Sequence, residues 1–361
     1  MFKKYWWKVI AVLLVAYSII VGIGTPMGAG IQTITPTWVE KAGLQTFTIT
    51  SYNADYAKEI TDGNFNVRLR ISPTQSICPI AVRTGNGDTL YLDFNFPDAK
   101  LPIDYTPLGK NKRAIYPLLE VSTKNYGYTS IQSAIGFAEY SENSIEASAF
   151  CDVNFADAKP FRFPYINILE ETIRNLFYHV PMWFGMMFLL TVSMVYSVKH
   201  LRNPQNVKFD NAARSFAIVG VLFGILGVVT GAWWARFTWG AFWSWDVKQN
   251  TSAVALLIYL AYFVLRDSFD DFDKRARVGA IYNIFAYAAL IPLLYIVPRM
   301  VDSLHPGTDG NPAFSSYDLD NTLRNVFYPS VIAWIMTGVW LAQLTIKKNF
   351  LKAKYETKHN N

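Results

Sequence analysis

The stretch FAIVGVLFGILGVVTGAWWARFTWGAFWSWD, residues 216–246, joins a long apolar run to a loop rich in tryptophan. Residues 216–235 are long and apolar enough to cross a ~30 Å hydrocarbon layer as a helix. Five tryptophans then fall within 13 residues, at positions 233, 234, 239, 243 and 245. Isolated tryptophans commonly anchor a helix at the membrane surface, but this density favours an aromatic surface for a flat ligand.

The whole chain has the composition of a membrane protein. Of its 361 residues, 52% are hydrophobic and 17% are charged, below the roughly one quarter that is usual in soluble domains. Further apolar stretches predict spans at about residues 5–24, 181–198, 250–266, 278–297 and 326–346. The first exceeds the ~7–15 apolar residues of a signal peptide, which favours an uncleaved span over a cleaved leader. The sequence therefore predicts an α-helical polytopic membrane protein with six transmembrane helices.

Basic residues indicate how these helices cross the membrane. The net charge is +6, and lysine and arginine concentrate in the N-terminus, residues 199–214, residues 266–277 and the tail. Because basic loops stay in the cytoplasm, both termini are predicted there, with the tryptophan loop outside. Outside the helix ends, no basic cluster interleaved with aromatic residues occurs in the sequence, so a nucleic-acid partner is not expected.

Residues 28–172, between the first two helices, follow a different pattern. Polar and apolar residues alternate in QTFTITSY (45–52), FNVRLRIS (65–72) and TLYLDFNF (89–96), as they do in antiparallel sheets. This segment is predicted to be a β-rich extracytoplasmic domain inserted between helices 1 and 2. Its cysteines, Cys78 and Cys151, are compatible with a disulfide and equally with two buried thiols. The predicted domains are the first helix 1–27, the β-rich domain 28–172, a five-helix membrane core 173–347 with its tryptophan loop at about 235–250, and a cytoplasmic tail 348–361.

Two of the four histidines are predicted on the outer side, near the tryptophan loop. His179 stands in FYHVP just before the second span, and His305 stands in DSLHPGT shortly after the fifth. His200 is predicted in a cytoplasmic loop and His359 in the tail. Two neutral imidazoles approaching from opposite sides suit the axial positions of a haem iron. A zinc site is less favoured, because neither a third histidine nor a cysteine pair completes it.

The tryptophan loop offers further groups for a flat ligand with carboxylates at one edge. Trp239, Trp243 and Trp245 present large π surfaces. Such carboxylates would meet one of the nearby basic residues, Arg236, Lys248, Arg299 or Arg324, and arginine has the better geometry for this contact. Asp246 is predicted either to cap the helix that follows or to hold backbone amides of the loop.

The segment WGAFWSWD resembles the tryptophan-rich WWD motif of the haem-handling proteins of c-type cytochrome biogenesis. Within that superfamily the layout is most similar to the CcmC family, which has six spans, one WWD loop between the third and fourth, and one outer histidine on each side of it. Here YHVP and SLHPGT match the two histidine regions, and GVVTGAWWARFTWGAFWSWD matches the approach to the loop. The resemblance covers about residues 173–346, with the first span added by position.

The resemblance implies a haem-handling protein that is not an enzyme. It implies that His179 and His305 are axial ligands of a non-covalent, b-type haem at the periplasmic face of the cytoplasmic (inner) membrane. The loop residues that would carry the haem are Trp239, Gly240, Trp243, Trp245 and Asp246. The resemblance assigns no arginine to the propionates, and Arg236, Arg299 and Arg324 stay candidates on their chemistry. The implied partners are the haem chaperone CcmE, to which haem is presented, the CcmA/CcmB transporter, CcmD and the lipid bilayer.

Three features depart from the family pattern. After Asp246 the chain reads VKQNT, so Lys248 places a single ammonium where the family has a bidentate guanidinium. This tail is intermediate between CcmC and the WWD relatives CcsA and CcmF. Residues 28–172 have no counterpart in the compact form of the family. The alternatives are a CcsA-type haem exporter and cytochrome c synthetase, a class with more spans and with histidines inside them, and a structural or sensory protein that binds no haem.

Overall fold

The computed structural model describes residues 2–39, 43–72, 75–96, 114–115, 117–131, 135–138, 161–305 and 319–359. The chain forms two compact units. One consists of Thr25–Glu171, and the other of Met1–Gly24 together with Thr172–Asn361. All of the predicted site residues belong to the second unit.

The first unit is built from two four-stranded antiparallel sheets. After helix α1 (Phe2–Gly24), the elements are β1 (Gly30–Thr35), β2 (Gly43–Tyr52), α2 (Tyr56–Thr61), β3 (Phe65–Ser72), β4 (Gln75–Ile77), β5 (Ala81–Thr84), β6 (Thr89–Phe96), β7 (Ala114–Ile115), β8 (Leu118–Thr123), β9 (Gly127–Ile131) and β10 (Phe137–Ala138). The sheet orders are β1-β2-β6-β5 and β4-β3-β8-β9, and β7 pairs with β10. The three alternating segments lie in β2, β3 and β6, so the β-rich fold is confirmed.

The two sheets share one hydrophobic core. Phe47 of β2 and Leu92 of β6 are register partners in the first sheet, and Leu69 of β3 and Leu119 of β8 are partners in the second. All four side chains are fully buried in a single cluster. Each buried side chain of this size stabilises the fold by about 1.5–3 kcal/mol. The alternation of apolar and polar residues therefore reports a sheet with one face on the core.

Cys78, which follows β4, forms a disulfide. The disulfide is one of the two states that the sequence leaves open for its cysteines. The sequence contains one other cysteine, Cys151, which lies outside the residues that the structure describes.

The second unit contains six helices that are long and apolar enough to cross a membrane, counted over the described residues. After α1 they are α3 (His179–Arg202), α4 (Val207–Thr238), α5 (Val247–Asp267), α6 (Phe272–Ile291) and α7 (Asn321–His359). A helix pairs its own backbone groups, as a hydrocarbon surrounding requires. The six predicted spans are confirmed, and the chain is a multi-pass membrane protein.

Helix α3 extends further than its apolar run indicates. The predicted span ends at residue 198 and places His200 in a loop, but α3 continues to Arg202 and buries His200. The loop prediction is therefore wrong. The last turn carries Lys199 and Arg202, whose positive charges are favourable at a helix C-terminus, so the helix continues beyond the apolar run.

Beyond the end of α6 the chain continues in two short turns of different helical types. A π-helical turn, Pro292–Ile296, is followed by a 3-10 turn, Val297–Arg299. The prolines at positions 292 and 298 lack the N–H that a regular α-helix uses, and single π turns are frequent at functional sites. From residue 300 the chain runs irregularly to His305, so this outer histidine is carried on a connection and not on a helix.

Candidate functional site

The tryptophan loop makes a short connection between α4 and α5. Trp239 ends α4, where its N–H donates to Ala235 O at 2.7 Å, and Val247 begins α5. Two loop residues have a positive φ, Gly240 at 83° and Trp245 at 58°. Glycine adopts this conformation at little cost, but a bulky side chain is strained in it and stays there when its surroundings enforce it. The loop therefore contains a strained residue two positions before α5 begins.

Residues in the first turn of α5 hold the loop in this shape. The Gln249 Oε1 atom accepts hydrogen bonds from Ser244 N at 2.9 Å and from Ser244 Oγ at 3.1 Å. Asn250 Oδ1 accepts from Trp243 Nε1 at 3.2 Å, and Asn250 Nδ2 donates to Trp245 O at 2.7 Å. The residues that follow the WWD segment thus have a structural role, because they tie the loop back onto the helix.

Asp246 caps α5 and also binds the chain on the other side of the site. Its Oδ1 accepts from Lys248 N at 2.9 Å, which is an N-cap contact, and from His305 Nδ1 at 2.8 Å. Its Oδ2 accepts from Ser303 Oγ at 2.9 Å and from Leu304 N at 2.8 Å. Of the two roles that the sequence allows, capping is observed, and the amide that Asp246 holds is that of Leu304.

These hydrogen bonds determine the charge of Asp246. Burial alone would raise the pKa of its carboxyl group, but the hydrogen bonds from His305, Leu304 and Ser303 outweigh burial and hold the pKa of Asp246 well below its usual range. Asp246 is therefore a carboxylate at neutral pH and can accept hydrogen bonds but not donate them. It follows that His305 Nδ1 is the donor, and that Nε2 carries no proton in the neutral ring.

His179 is the first residue of α3 and contacts α4. Its Nδ1 lies 3.0 Å from Gly227 O and 3.2 Å from Thr230 Oγ1. The Thr230 hydroxyl donates to Leu226 O at 2.7 Å, so toward the ring it acts as an acceptor. Nδ1 of His179 therefore carries the proton, and Nε2 is again the nitrogen without one. A metal binds the unprotonated nitrogen of an imidazole whose other nitrogen is held by a hydrogen bond.

A row of glycines lets α3 and α4 approach closely and fixes the position of His179. Four glycines of α4 each face one side chain of α3: Gly231 faces His179, Gly227 faces Trp183, Gly224 faces Met186 and Gly220 faces Leu190. A Cβ atom at Gly231 would lie 2.5 Å from His179 Cε1, and at the other three glycines it would lie 2.7–2.9 Å from the α3 side chain; at Gly224 it would also lie 2.5 Å from Leu256 of α5. Small residues are typical where membrane helices pack closely. The His179 ring thus rests on the backbone of α4.

Both histidines also contact tryptophan rings edge to face. The His179 ring lies 6.2 Å from that of Trp183 and 5.8 Å from that of Trp234. The His305 ring lies 4.7 Å from that of Trp239. The dense tryptophan cluster therefore supplies a ring contact to each histidine, from Trp234 to His179 and from Trp239 to His305.

His179 and His305 line the same cavity, whose volume is about 210 Å³. The apolar lining residues include Trp183, Met187, Val228, Leu294 and Pro298. The polar ones, Lys248, Gln249, Thr251 and Ser252, come from the start of α5. Trp243 of the loop also contributes. The lining therefore suits a flat apolar molecule with an acidic edge.

The remaining nominated residues lie elsewhere. Arg236 and Gly240 line a separate depression, in which Arg236 Nη1 donates to Gly240 O at 2.5 Å. Trp245 is 78% exposed. Arg324 Nη1 donates to Asn321 Oδ1 at 3.4 Å within α7. Neither Arg299 nor Arg324 is among the lining residues of these two depressions in the described part of the chain.

Several cavity residues are not nominated by the sequence. Trp183 stands four residues after His179 and therefore on the same face of α3, which is a signal that would have found it. Leu294 and Tyr295 lie on the π turn, where regular helical spacing does not apply. Within the described residues no group of three or more His, Cys, Asp or Glu side chains lies together as a metal site. The cavity is instead lined by two imidazoles.

Comparison with known proteins identifies relatives of the helical unit. The family model of Heme exporter protein C matches residues 164–361. Heme exporter protein C of Bradyrhizobium diazoefficiens is 30% identical over 136 residues, which are 37% of this chain and 50% of the relative. That of Haemophilus influenzae is 24% identical over 161 residues, 44% of this chain and 59% of the relative. Cytochrome c biogenesis protein CcsA of Pelargonium hortorum is 33% identical over 79 residues, 22% of this chain and 25% of the relative. The chain thus spans about half the length of the heme exporter relatives that it matches.

Proposed function

The chain belongs to the Heme exporter protein C family, whose model matches 198 of its 361 residues, and on this premise we propose that it binds haem at the outer face of a membrane and presents it for the maturation of c-type cytochromes. The axial ligands in this proposal are His179 and His305. The observation that carries it is the pair of imidazoles on one cavity, each with Nδ1 held by a hydrogen bond.

The residues present fit a haem. Axial ligation needs an imidazole nitrogen without a proton, and the hydrogen bonds at Nδ1 leave Nε2 in that state in both rings. The apolar lining residues of the cavity suit a porphyrin body. Lys248, which also lines the cavity, offers a positive charge to propionates. Arg236, Arg299 and Arg324 do not line this cavity and stay candidates from the sequence alone. When bound, the haem iron supplies two coordination positions for the histidines.

The size of the cavity agrees with a transient cargo. Its volume of about 210 Å³ is below the ~300–1,000 Å³ of pockets that enclose a small molecule. A porphyrin would therefore be held in part and would remain accessible at the protein surface. Such a site suits a molecule that is bound without a covalent bond and passed on.

The proposed setting is the cytoplasmic membrane, with both termini in the cytoplasm and the tryptophan loop in the periplasm. The support is the arrangement of basic residues at the helix ends: Lys199 and Arg202 lie in the last turn of α3 and Lys208 in the first turn of α4, and Lys274 and Arg275 lie in the first turn of α6, as they do on the cytoplasmic side of a membrane. The proposed partners are the chaperone CcmE, the CcmA/CcmB transporter and CcmD. The β-rich segment 28–172 is proposed as an extracytoplasmic domain, because it lies between the outer ends of the first two spans.

A spectroscopic experiment tests the function. The full chain, incorporated in lipid nanodiscs and supplied with haem, should show the Soret and α/β bands of a six-coordinate bis-histidine haem. His179→Ala combined with His305→Ala should abolish these bands, whereas His359→Ala, which removes a histidine at the end of α7, should leave them unchanged. Normal haem content in the double variant would contradict the assignment of the ligands.

The similarity to CcsA of Pelargonium hortorum supports a second candidate, a CcsA-type haem exporter and cytochrome c synthetase. This protein would be an enzyme that attaches haem directly to C-x-x-C-H sequences. The two candidates differ in their need for CcmE. A strain that lacks both CcmC and CcmE separates them: the first function predicts no mature cytochrome c when this chain is expressed, and the second predicts covalent haem attachment.

A further inference from the structure

We propose that the two histidines hold their cargo unequally, so that His179 is the fixed ligand and His305, positioned by Asp246, is the ligand that gives up its place when the cargo leaves. The proposal rests on the proposed function and adds an order of release to it. It comes from the difference between the surroundings of the two imidazoles, and it assigns Asp246 as a positioning residue.

The His179 ring is enclosed by two membrane helices. It begins α3, donates to a backbone carbonyl of α4, that of Gly227, and lies against Gly231 at a distance that leaves no room for a methyl group. Trp183 and Trp234 flank the ring. Because the acceptor is a main-chain atom in the middle of a helix, His179 moves when α3 and α4 move relative to each other. The closely packed glycine row opposes that movement.

The His305 ring is carried on an irregular segment. This segment, residues 300–305, follows the π turn and the 3-10 turn; Met300 N donates to Val297 O at 3.1 Å, and from there the backbone is irregular. The His305 side chain is 25% exposed, and Met300, Val301 and Leu304 expose large apolar side chains. A connection with exposed backbone opens at lower free energy than packed helices do. His305 can therefore move away by rotation about a few backbone bonds.

Asp246 holds this segment through one carboxylate. The carboxylate accepts hydrogen bonds from Ser303 Oγ, Leu304 N and His305 Nδ1, and it is itself fixed at the start of α5 by the bond from Lys248 N. One side chain thus orients the histidine and anchors the segment that carries it. A carboxylate partner also increases the basicity of a ligating imidazole, so Asp246 strengthens the bond to iron as long as His305 is seated.

The chemistry of release is a ligand exchange. The coordinate bond between iron and His305 Nε2 breaks, and a bond between iron and a donor of the accepting protein forms in its place. The electron pair of Nε2 stays with the imidazole, and the oxidation state of iron does not change. His179 keeps its bond until the second step, which lets the cargo remain bound to one partner throughout the transfer.

Carbon monoxide can report which histidine leaves, because it displaces one axial ligand of ferrous haem. The wild-type chain in nanodiscs should form a CO complex whose resonance Raman and absorption spectra match those of the CO complex of His305→Ala, in which His179 lies opposite CO. If the spectra of the wild-type CO complex differ from those of the His305→Ala CO complex, the proposal is wrong. If they match the spectra of the His179→Ala CO complex instead, the order of release is the reverse.

Asp246→Asn tests the positioning role. It keeps the size of the side chain but weakens the charge-assisted hydrogen bonds, so CO should replace His305 at least about tenfold faster, as expected for the loss of one such bond. The matched control is Asp271→Asn, which removes the charge from a similar N-cap contact, with Lys274 N, at the start of α6. The control should leave the rate of CO binding unchanged. Equal rates in both variants and the wild type would contradict the role of Asp246.

These outcomes separate the two proposals. If the wild-type chain supplied with haem shows no bis-histidine bands, both the proposed function and this inference are wrong. A wild-type chain that shows these bands but keeps His305 in its CO complex leaves the function intact and overturns the order of release alone.

Discussion

The carboxylate of Asp246 accepts one hydrogen bond from the helix that it caps and three from residues 303–305. A residue that looks like an ordinary N-cap in the sequence therefore also orients a histidine 59 positions away. At this scale the site consists of short polar contacts that select one nitrogen of each imidazole. His305 uses a carboxylate for this purpose, and His179 uses a backbone carbonyl.

Gly231→Ala is the residue change with the clearest expected effect on His179. The added methyl group would lie 2.5 Å from His179 Cε1, so the ring or helix α4 must shift, at a cost of about 1–3 kcal/mol for overpacking. We expect weaker binding of haem, by about tenfold or more, since 1.4 kcal/mol corresponds to a factor of ten. Haem titration of the chain in nanodiscs measures this change.

The control for this variant is Gly24→Ala, also at a helical glycine. A Cβ atom at Gly24 meets no other atom within 4 Å, so haem affinity should be unchanged. Equal affinity in both variants would show that the close contact between α4 and the ring is not needed for binding.

The residue contacts differ in how far the sequence could predict them. The cap at Asp246 could be predicted, because its partner Lys248 lies two positions away in the chain. His179 and His305 could be predicted as ligand candidates from the topology, since both lie at the outer ends of predicted spans. The bond between Asp246 and His305 could not be predicted, because it depends on where the π turn directs the chain after α6.

At the scale of elements, helix packing places His179 in the site. The four glycines of α4 and the four side chains of α3 are paired in antiparallel register, with His179 opposite Gly231 at one end and Leu190 opposite Gly220 at the other. A second contact joins α4 to α5, where Arg266 and Asp210 form a buried, bidentate ion pair with N–O distances of 2.7 and 2.5 Å. These contacts hold the helices that form the walls of the cavity.

The Asp210–Arg266 pair should show the behaviour of a buried ion pair. Arg266→Met alone leaves the buried carboxylate without its partner and should destabilise the helical unit by about 3–5 kcal/mol. Asp210→Leu combined with Arg266→Met should recover most of that loss, because it removes both charges. Thermal unfolding in detergent, followed by size-exclusion chromatography, gives the order of stability. A double variant that is no more stable than Arg266→Met would contradict this account.

In the β-rich unit, an ion pair between Arg83 and Asp93 joins β5 to β6. Arg83 Nε and Nη2 each lie 2.9 Å from a carboxylate oxygen of Asp93, and Thr46 Oγ1 donates to Asp93 at 2.6 Å. The hydrogen bond from Arg83, followed by that from Thr46, lowers the pKa of Asp93. Stability from such a group is fully present above the unfolded-state pKa of about 3.9 and is lost as the pH falls through the folded-state pKa.

We therefore expect Asp93→Asn to destabilise the β-rich unit at neutral pH and to have progressively less effect as the pH falls below about 4. Unfolding temperatures of the full chain across this pH range measure the difference. Asp88→Asn, in the exposed turn before β6, is the control and should have little effect at any pH. An effect of Asp93→Asn that grows as the pH falls would contradict the sign of the prediction.

Elements were predictable where a local pattern specifies them. The strands at 45–52, 65–72 and 89–96 follow from alternation, and the spans follow from apolar length. The C-terminal end of α3 was not predicted, because hydrophobicity marks the lipid layer and not the end of hydrogen bonding, so His200 was placed in a loop. The glycine row of α4 is visible in the sequence, but its partners on α3 depend on how the two helices pack.

At the scale of the whole molecule, the chain combines a β-rich unit with a helical unit that carries the site. Each unit has its own hydrophobic cluster, and the residues nominated as haem ligands all belong to the helical unit. The sequence predicted both parts from composition and periodicity. The function of the β-rich unit could not be predicted in the same way, because a sandwich of strands specifies a core and not a ligand.

Removal of the disulfide should affect the two units differently. Cys78→Ser should destabilise the β-rich unit by roughly 2–4 kcal/mol, the usual contribution of a native disulfide. The haem spectrum should be unchanged, since Cys78 and the two histidines belong to different units. Limited proteolysis reports the first effect and absorption spectroscopy the second. Loss of the bis-histidine bands in Cys78→Ser would show that the units are coupled.

The glycine row has a consequence for which changes of length the chain can accept. A single residue inserted within the paired part of α3 or α4 turns everything beyond it by about 100° around the helix axis, which would move His179 off Gly231 even if every original residue were kept. An insertion in the turn between the two helices, at residues 203–206, leaves that register intact. Homologues of this protein should therefore vary in length at this turn and not along the helices, and an alignment that places a gap inside them would misassign the histidine.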